Sequence, residues 1–145
     1  MNYYSINQVS SKLSISKDTL RYYDKIGLVC PFRGENKYRQ YSEIDLLELQ
    51  YIETMKYGDF SLAEIKTILI NKRSCTGEHL DDTVNLLHRK KIEITKKITF
   101  CHDMLKLLTA AEHVLEQKKE PGDTAQINKL IQKIYDDLKG DTHEK

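Results

Sequence analysis

Ser16-Lys17-Asp18-Thr19-Leu20-Arg21-Tyr22-Tyr23-Asp24-Lys25-Ile26-Gly27-Leu28 is the stretch that decides the fold. Ser16 has the side chain of a helix N-cap, which accepts from backbone N–H groups that have no partner within the helix. Gly27 stands where a glycine adopts the left-handed turn that stops a helix. Between them Leu20 and Tyr23 share one face, which predicts a helix over 17–24 with those two side chains inward. Lys17, Arg21, Tyr22 and Lys25 then fall on or near the outer face.

Just upstream, SINQVSSKL (residues 5–13) predicts a short helix capped by Ser5, with Ile6, Val9 and Leu13 on one side. Two short helices joined by about three residues are the helix-turn-helix pattern. Downstream, Leu28-Val29-Cys30 precedes Pro31, then come Gly34-Glu35-Asn36 and Tyr38-Arg39-Gln40-Tyr41. That reads as two short strands around a turn, a wing that must pack on the helices because a lone hairpin is marginal in water. Ser42, with Asp45 three residues on, caps the next helix, to which Ile44, Leu47, Ile52 and Met55 bring apolar side chains with Leu49 and Tyr51 alongside. Gly58-Asp59 breaks it. Ser61 opens a further helix over 62–70, with Glu64 in its first turn and Ile65, Ile68 and Leu69 as its apolar face. NKRSCTG (71–77) reads as a polar loop.

A long helix over 79–118 follows. Steps of four and three give Leu80, Val84, Leu87, Lys91, Ile94, Ile98, Cys101, Leu105, Leu108, Glu112 and Leu115, and nine of these eleven are apolar or cysteine. A sustained 3.5-residue period is a coiled-coil seam. At 1.5 Å per residue such a helix spans roughly 60 Å, too long to hide its stripe on a small domain, so the seam predicts a homodimer. Lys91 and Glu112 are polar departures, suited to pair across antiparallel chains. Pro121-Gly122-Asp123 ends the helix. A last helix over 124–138 carries Ile127, Leu130, Ile131, Ile134 and Leu138 on one side, and 139–145 reads as a frayed tail. The expected organisation is mainly α: a winged helix-turn-helix domain at 1–73, a dimerisation helix at 74–120, and a short helix with tail at 121–145.

Charge points the same way. The net charge is +1, but residues 12–39 hold seven Lys/Arg against three Asp/Glu, a local excess that attracts phosphates within a screening length of about 10 Å. Ser16, Lys17 and Thr19 stand at the helix start, the end that enters a major groove, and Arg21, Tyr22 and Lys25 follow. Arg33, Asn36, Lys37, Tyr38 and Arg39 cluster at the wing, where such donors clamp backbone phosphates. An ordinary solvated helix and a polar turn are the plainer alternatives. No glycine-rich phosphate loop, Gly-x-Ser-x-Gly or His-Glu-x-x-His is present, which argues against an enzyme. No apolar run approaches the roughly 18 residues of a membrane span, and no secretory leader opens the chain, so a cytoplasmic location is expected. Cys30, Cys75 and Cys101 form neither a disulfide framework nor a Cys-x-x-Cys pair, and no cofactor is expected.

In order and spacing, YSINQVSSKLSISKDTLRYYDKIGLV, YRQYSEIDLLELQYI and FSLAEIKTIL resemble the signature of the MerR family of transcriptional regulators, over about residues 3–70. The block from Leu20 to Leu28 is the most specific part. The resemblance implies a winged DNA-binding domain and an antiparallel coiled-coil dimer. It assigns Arg21, Tyr22, Tyr38 and Arg39 to DNA contact and makes Lys56 and Tyr57 part of a second wing. There the chain reads Tyr57-Gly58-Asp59-Phe60 in place of the family's Leu-Gly-Phe type of turn. The resemblance further implies double-stranded promoter DNA and RNA polymerase as partners, with distortion of an overlong promoter spacer when an effector binds. An effector-independent repressor or architectural protein is the alternative. In metal-sensing members the effector sits between the start of the long helix and the loop after the partner's helix. Here Cys75 and His79 stand at that start and His113 near the far end, soft-metal ligand types that an antiparallel dimer would bring together, so a soft-metal sensor using these three is a further alternative, although the loop 120–124 holds no Cys or His. A small-molecule pocket would draw on Leu130, Ile131 and Tyr135, which also serve simply to pack the last helix.

Overall fold

The computed structural model describes residues 2–74, 80–117 and 124–142. The chain divides into two compact units, Met1–His88 and Arg89–Lys145.

The first unit opens with a strand, β1 (Tyr3–Ser5), and then the helix pair α1 (Ile6–Leu13) and α2 (Lys17–Lys25). Ser5 and Gln8 cap α1 reciprocally, and the Ser16 side chain accepts from the Thr19 N–H at the start of α2. Ser14, between the helices, turns the chain in the left-handed region at φ 55°. At the other end of α2, Gly27 has φ 68°, and the Leu28 N–H donates back to the Tyr23 carbonyl at 2.8 Å. Lys66 Nζ donates to the Ile26 carbonyl at 2.7 Å, a cation at the negative end of the helix.

The wing differs in detail from the two strands expected. Its strands are β2 (Phe32–Arg33) and β3 (Arg39–Ser42), antiparallel, with Arg33 opposite Arg39. β1 pairs on the other edge of β3, so the sheet has three strands in the order β1-β3-β2. Leu28 and Val29 are not strand; both are buried in the core, with Pro31 buried after them.

Helices α3 (Glu43–Tyr57) and α4 (Leu62–Arg73) complete the core, each opened by a capping box, Ser42 with Asp45 and Ser61 with Glu64. The buried side of α3 is Leu46, Leu49 and Ile52, whereas Ile44 and Leu47 face outward. The expected loop at 71–77 starts later than predicted, because α4 continues to Arg73. Tertiary partners hold that extra turn. Arg73 donates to both carboxylate oxygens of the buried Glu48 and, at 2.7 Å, to the Leu28 carbonyl, while Asn71 pairs with Thr83. The core unites Val9, Ile15, Leu20, Tyr23, Leu28, Val29, Tyr41, Leu46, Leu49, Ile52, Ile65 and Leu69.

A single long helix, α5 (Leu80–Glu116), runs from the first unit into the second. In the second unit it is joined by α6 (Ala125–Thr142), which extends through residues expected to be a frayed tail. The Lys133 ammonium on α6 meets Asp103 on α5 at 2.8 Å, and Ile134 is buried beside it. The expected breaker Pro121-Gly122-Asp123 lies outside the described residues.

Candidate nucleic-acid interface

α2 presents Lys17, Asp18, Arg21, Tyr22 and Lys25 on one exposed face, because positions 17, 21 and 25 succeed one another at one turn of helix. The opposite face is anchored by Leu20 and Tyr23, which are fully buried. Thr19 is half-buried and its hydroxyl lies 2.7 Å from that of Ser16, so both belong to the cap as well as to the helix start. At the wing turn the Lys37 N–H donates to the Gly34 carbonyl at 2.9 Å, and Lys37 sits at φ 60°. Lys37 and Tyr38 thereby project from the tip, where Tyr38 is among the most exposed aromatic side chains.

Ion pairs tie the two parts together. Arg33 and Arg39 both reach the Asp24 carboxylate on α2, at 2.9 and 2.7 Å. Arg21 pairs with Asp18 one turn before it at 2.6 Å. Beneath them Tyr41 is buried, with no hydrogen-bond partner for its hydroxyl among the described residues. Burial raises the Tyr41 pKa above the ordinary tyrosine value, against the opposing pull of Arg39.

Lys56 and Tyr57 have separate surroundings. Lys56 Nζ donates to the Tyr23 hydroxyl at 2.9 Å, and that hydroxyl donates to Glu53 at 3.0 Å. The Tyr23 hydroxyl, and after it Glu53, holds the Lys56 ammonium protonated above its usual range, so this lysine braces α3 against α2. Tyr57, at the end of α3, is 95% exposed. Asp59 follows at φ 60°, a backbone that aspartate tolerates better than most residues. Reading the sequence for donors missed the acids. Asp18 and Asp24 organise three of the arginines, and the 18–21 spacing, three apart on a helix, was the available signal.

Residues 4–72 match the model of the MerR HTH family regulatory protein. The chain is 35% identical over 100 residues to the uncharacterized HTH-type transcriptional regulator YyaN of Bacillus subtilis, covering 65% of this chain and 71% of that protein. The chain belongs to the MerR family. Among solved structures, HiNmlR, a MerR family regulator lacking the sensor domain and bound to promoter DNA, has a TM-score of 0.69 at 24% identity, covering 83% of this chain and 96% of that one. EcmrR, in a DNA complex within EcmrR-RPo, has a TM-score of 0.55 at 27% identity, covering 80% of this chain and 41% of that one.

As a MerR-type regulator of transcription, the protein acts by binding DNA. Of its candidate metal ligands, Cys75 and His79 lie outside the described residues. His113 lines a groove of about 610 Å³ in the second unit with His102, Leu105, Lys106 and Leu130. Among the described residues no group of three or more His, Cys, Asp or Glu is placed to hold a metal ion. No described helix is long and apolar enough to cross a membrane. The seam residues Leu80, Val84, Leu87, Ile94, Ile98, Cys101, Leu105, Leu108 and Leu115 are all exposed in the single chain.

Proposed function

We propose that this MerR regulator binds promoter DNA as a homodimer, with α2 in the major groove and the wing on the adjoining backbone. The observation that carries this reading is the outward face of α2, where Lys17, Arg21, Tyr22 and Lys25 lie in one row beside a wing tip bearing Lys37 and Tyr38. Ser16 and Thr19, at the helix start, belong to the end that reaches base edges and phosphates in helix-turn-helix proteins. Arg33 and Arg39 complete the wing side of the face, and we assign Lys56 and Tyr57 to a second wing that contacts DNA beyond it. EcmrR, which shares 27% of its sequence over the aligned part, is itself held on DNA.

The exposed seam on α5 supports the homodimer. A leucine or isoleucine left half in water forgoes roughly 1 kcal/mol of burial, and seven such side chains lie along one line with Val84 and Cys101. Two copies of the first unit then address two half-sites a helical turn of DNA apart. Distortion of an overlong promoter spacer to suit RNA polymerase, under a small-molecule effector, is the regulatory step we assign to the dimer.

The test is selection from a random duplex pool by the full chain, followed by gel shift with the enriched duplex. The enriched sequence is expected to be a pseudo-palindrome bound as two chains per duplex. Arg21→Ala is expected to abolish preference for it at physiological salt, because the guanidinium on the groove face supplies donors that alanine lacks. Retained preference would remove Arg21 from the interface. Absence of any enriched duplex would remove the reading altogether.

A further inference from the structure

Arg33 and Arg39 stand directly opposite one another in the β2–β3 ladder, so their side chains share one face of the sheet. Like charges in that position repel. The sheet accommodates them because both guanidiniums converge on one oxygen, Oδ2 of Asp24, at 2.9 and 2.7 Å. The Asp24 side chain is only 15% exposed and that of Arg39 26%. The other ion pair of this face is different in kind: Asp18 is 92% and Arg21 51% exposed, so water and salt screen the pair and it opens readily.

We propose that Asp24 is a positioning residue of the DNA face, which keeps the wing set against α2 and restrains Arg33 and Arg39 from binding the phosphates of any sequence. The proposal rests on the reading of α2 and the wing as the DNA-binding surface. With the carboxylate in place, the two guanidiniums present a net charge of one rather than two, and their remaining N–H groups point where the ladder and α2 fix them. Without it they repel each other, splay, and take phosphates wherever these lie. Each phosphate newly neutralised steepens the dependence of log K on log salt by about 0.9. Indiscriminate binding then gains while binding to the preferred sequence does not gain in step.

The experiment uses the full chain, a duplex enriched by the wild-type chain and a random duplex, titrated from low to high salt. Asp24→Asn is expected to bind the random duplex more tightly, with a slope steeper by about one to two units. The preference for the enriched duplex is expected to fall by roughly tenfold. Asp18→Asn removes the same charge from the same face and is expected to tighten the enriched and random duplexes alike, with the preference between them and the slope kept, since its pair with Arg21 is already exchangeable. Asp24→Glu keeps the charge and moves the carboxylate by one methylene. It is expected to keep the wild-type slope on random DNA and lose several-fold in affinity for the enriched duplex, and it serves should Asp24→Asn fail to fold. Asp24→Asn behaving as Asp18→Asn, or Asp24→Glu binding the enriched duplex as wild type does, overturns the proposal while leaving the DNA-binding reading intact. A wild-type chain that enriches no duplex overturns both.

Discussion

Arg73 does three jobs with one guanidinium. It satisfies both oxygens of Glu48, which is 6% exposed, and it satisfies the Leu28 carbonyl in the turn after α2. A carboxylate that far from water is costly unless paired. Arg73→Ala leaves Glu48 without its cation and the Leu28 carbonyl without its donor. Urea unfolding is expected to show a loss of about 2–3 kcal/mol, and Glu48→Gln in the same chain is expected to recover part of it. A loss under half a kcal/mol would mean that water replaces the guanidinium. In the second unit, Asp103 is held below its ordinary carboxylate pKa, first by the hydrogen bond from Lys133 and then by that from Lys106. A depressed pKa contributes stability that is complete above the unfolded value, near 3.9, and is lost as pH falls through the folded value. Acid titration followed by far-UV circular dichroism is therefore expected to show the α5–α6 hairpin weakening from about pH 4 downward. In Asp103→Asn that dependence is expected to shrink, and an unaltered acid limb would show that other carboxylates set it.

At the scale of elements, what the sequence disclosed and what it hid have physical reasons. Four helix starts were legible because Ser5, Ser16, Ser42 and Ser61 each cap by a local bond that needs nothing else in the chain. β1 was not legible: three residues, Tyr3–Ser5, carry no alternation, and their ladder partner lies at Gln40–Ser42. The inward face of α3 was ambiguous because apolar residues surround the helix, and packing chose Leu46 and Leu49 over Ile44 and Leu47. The last turn of α4 read as loop because its residues are polar, and their partners Glu48, Leu28 and Thr83 are distant in sequence. In the candidate site the basic and aromatic residues were legible by type. The pairing of two wing arginines with Asp24 required the ladder register. Gly27 shows how far a local signal reaches. A Cβ there meets nothing nearer than Lys66 Nζ at 3.7 Å, an ordinary contact, so space does not exclude alanine. The backbone does the excluding, since φ is +68°. Gly27→Ala is expected to cost about 1 kcal/mol in a thermal or urea melt. A cost above about 3 kcal/mol would point to disruption of the Lys66 bond to the Ile26 carbonyl rather than to strain alone.

At the scale of the whole molecule the proposed homodimer is tested by the direction in which two copies run along the seam. α5 is apolar on more than one side. Leu86 is buried in the first unit, and Met104 and Leu107 are half-buried in the second, while Leu80, Ile98, Leu105 and Leu115 on the seam face out. Leu80 and Leu115 are 35 positions apart in α5, about 52 Å of helix. If the copies run parallel, each Leu80 lies against its own counterpart. If they run antiparallel, the two Leu80 positions are some 50 Å apart and each lies near Leu115 of the other copy. A disulfide needs Cα atoms within about 7 Å, so it separates the two cases. In a chain whose three cysteines are replaced by serine, Leu80→Cys and Leu115→Cys are each expected to stay uncrosslinked under mild oxidation. An equimolar mixture of the two variants, exchanged and then oxidised, is expected to yield the mixed dimer. Crosslinking of either variant with itself would establish parallel chains. Two Arg21-bearing helices would then sit at the same end of the rod, and the spacing assigned to a pair of half-sites would have to come from something other than the length of α5. No crosslink in any of the three samples, together with a monomer by sedimentation at tens of micromolar, would mean that the seam is covered by some other partner.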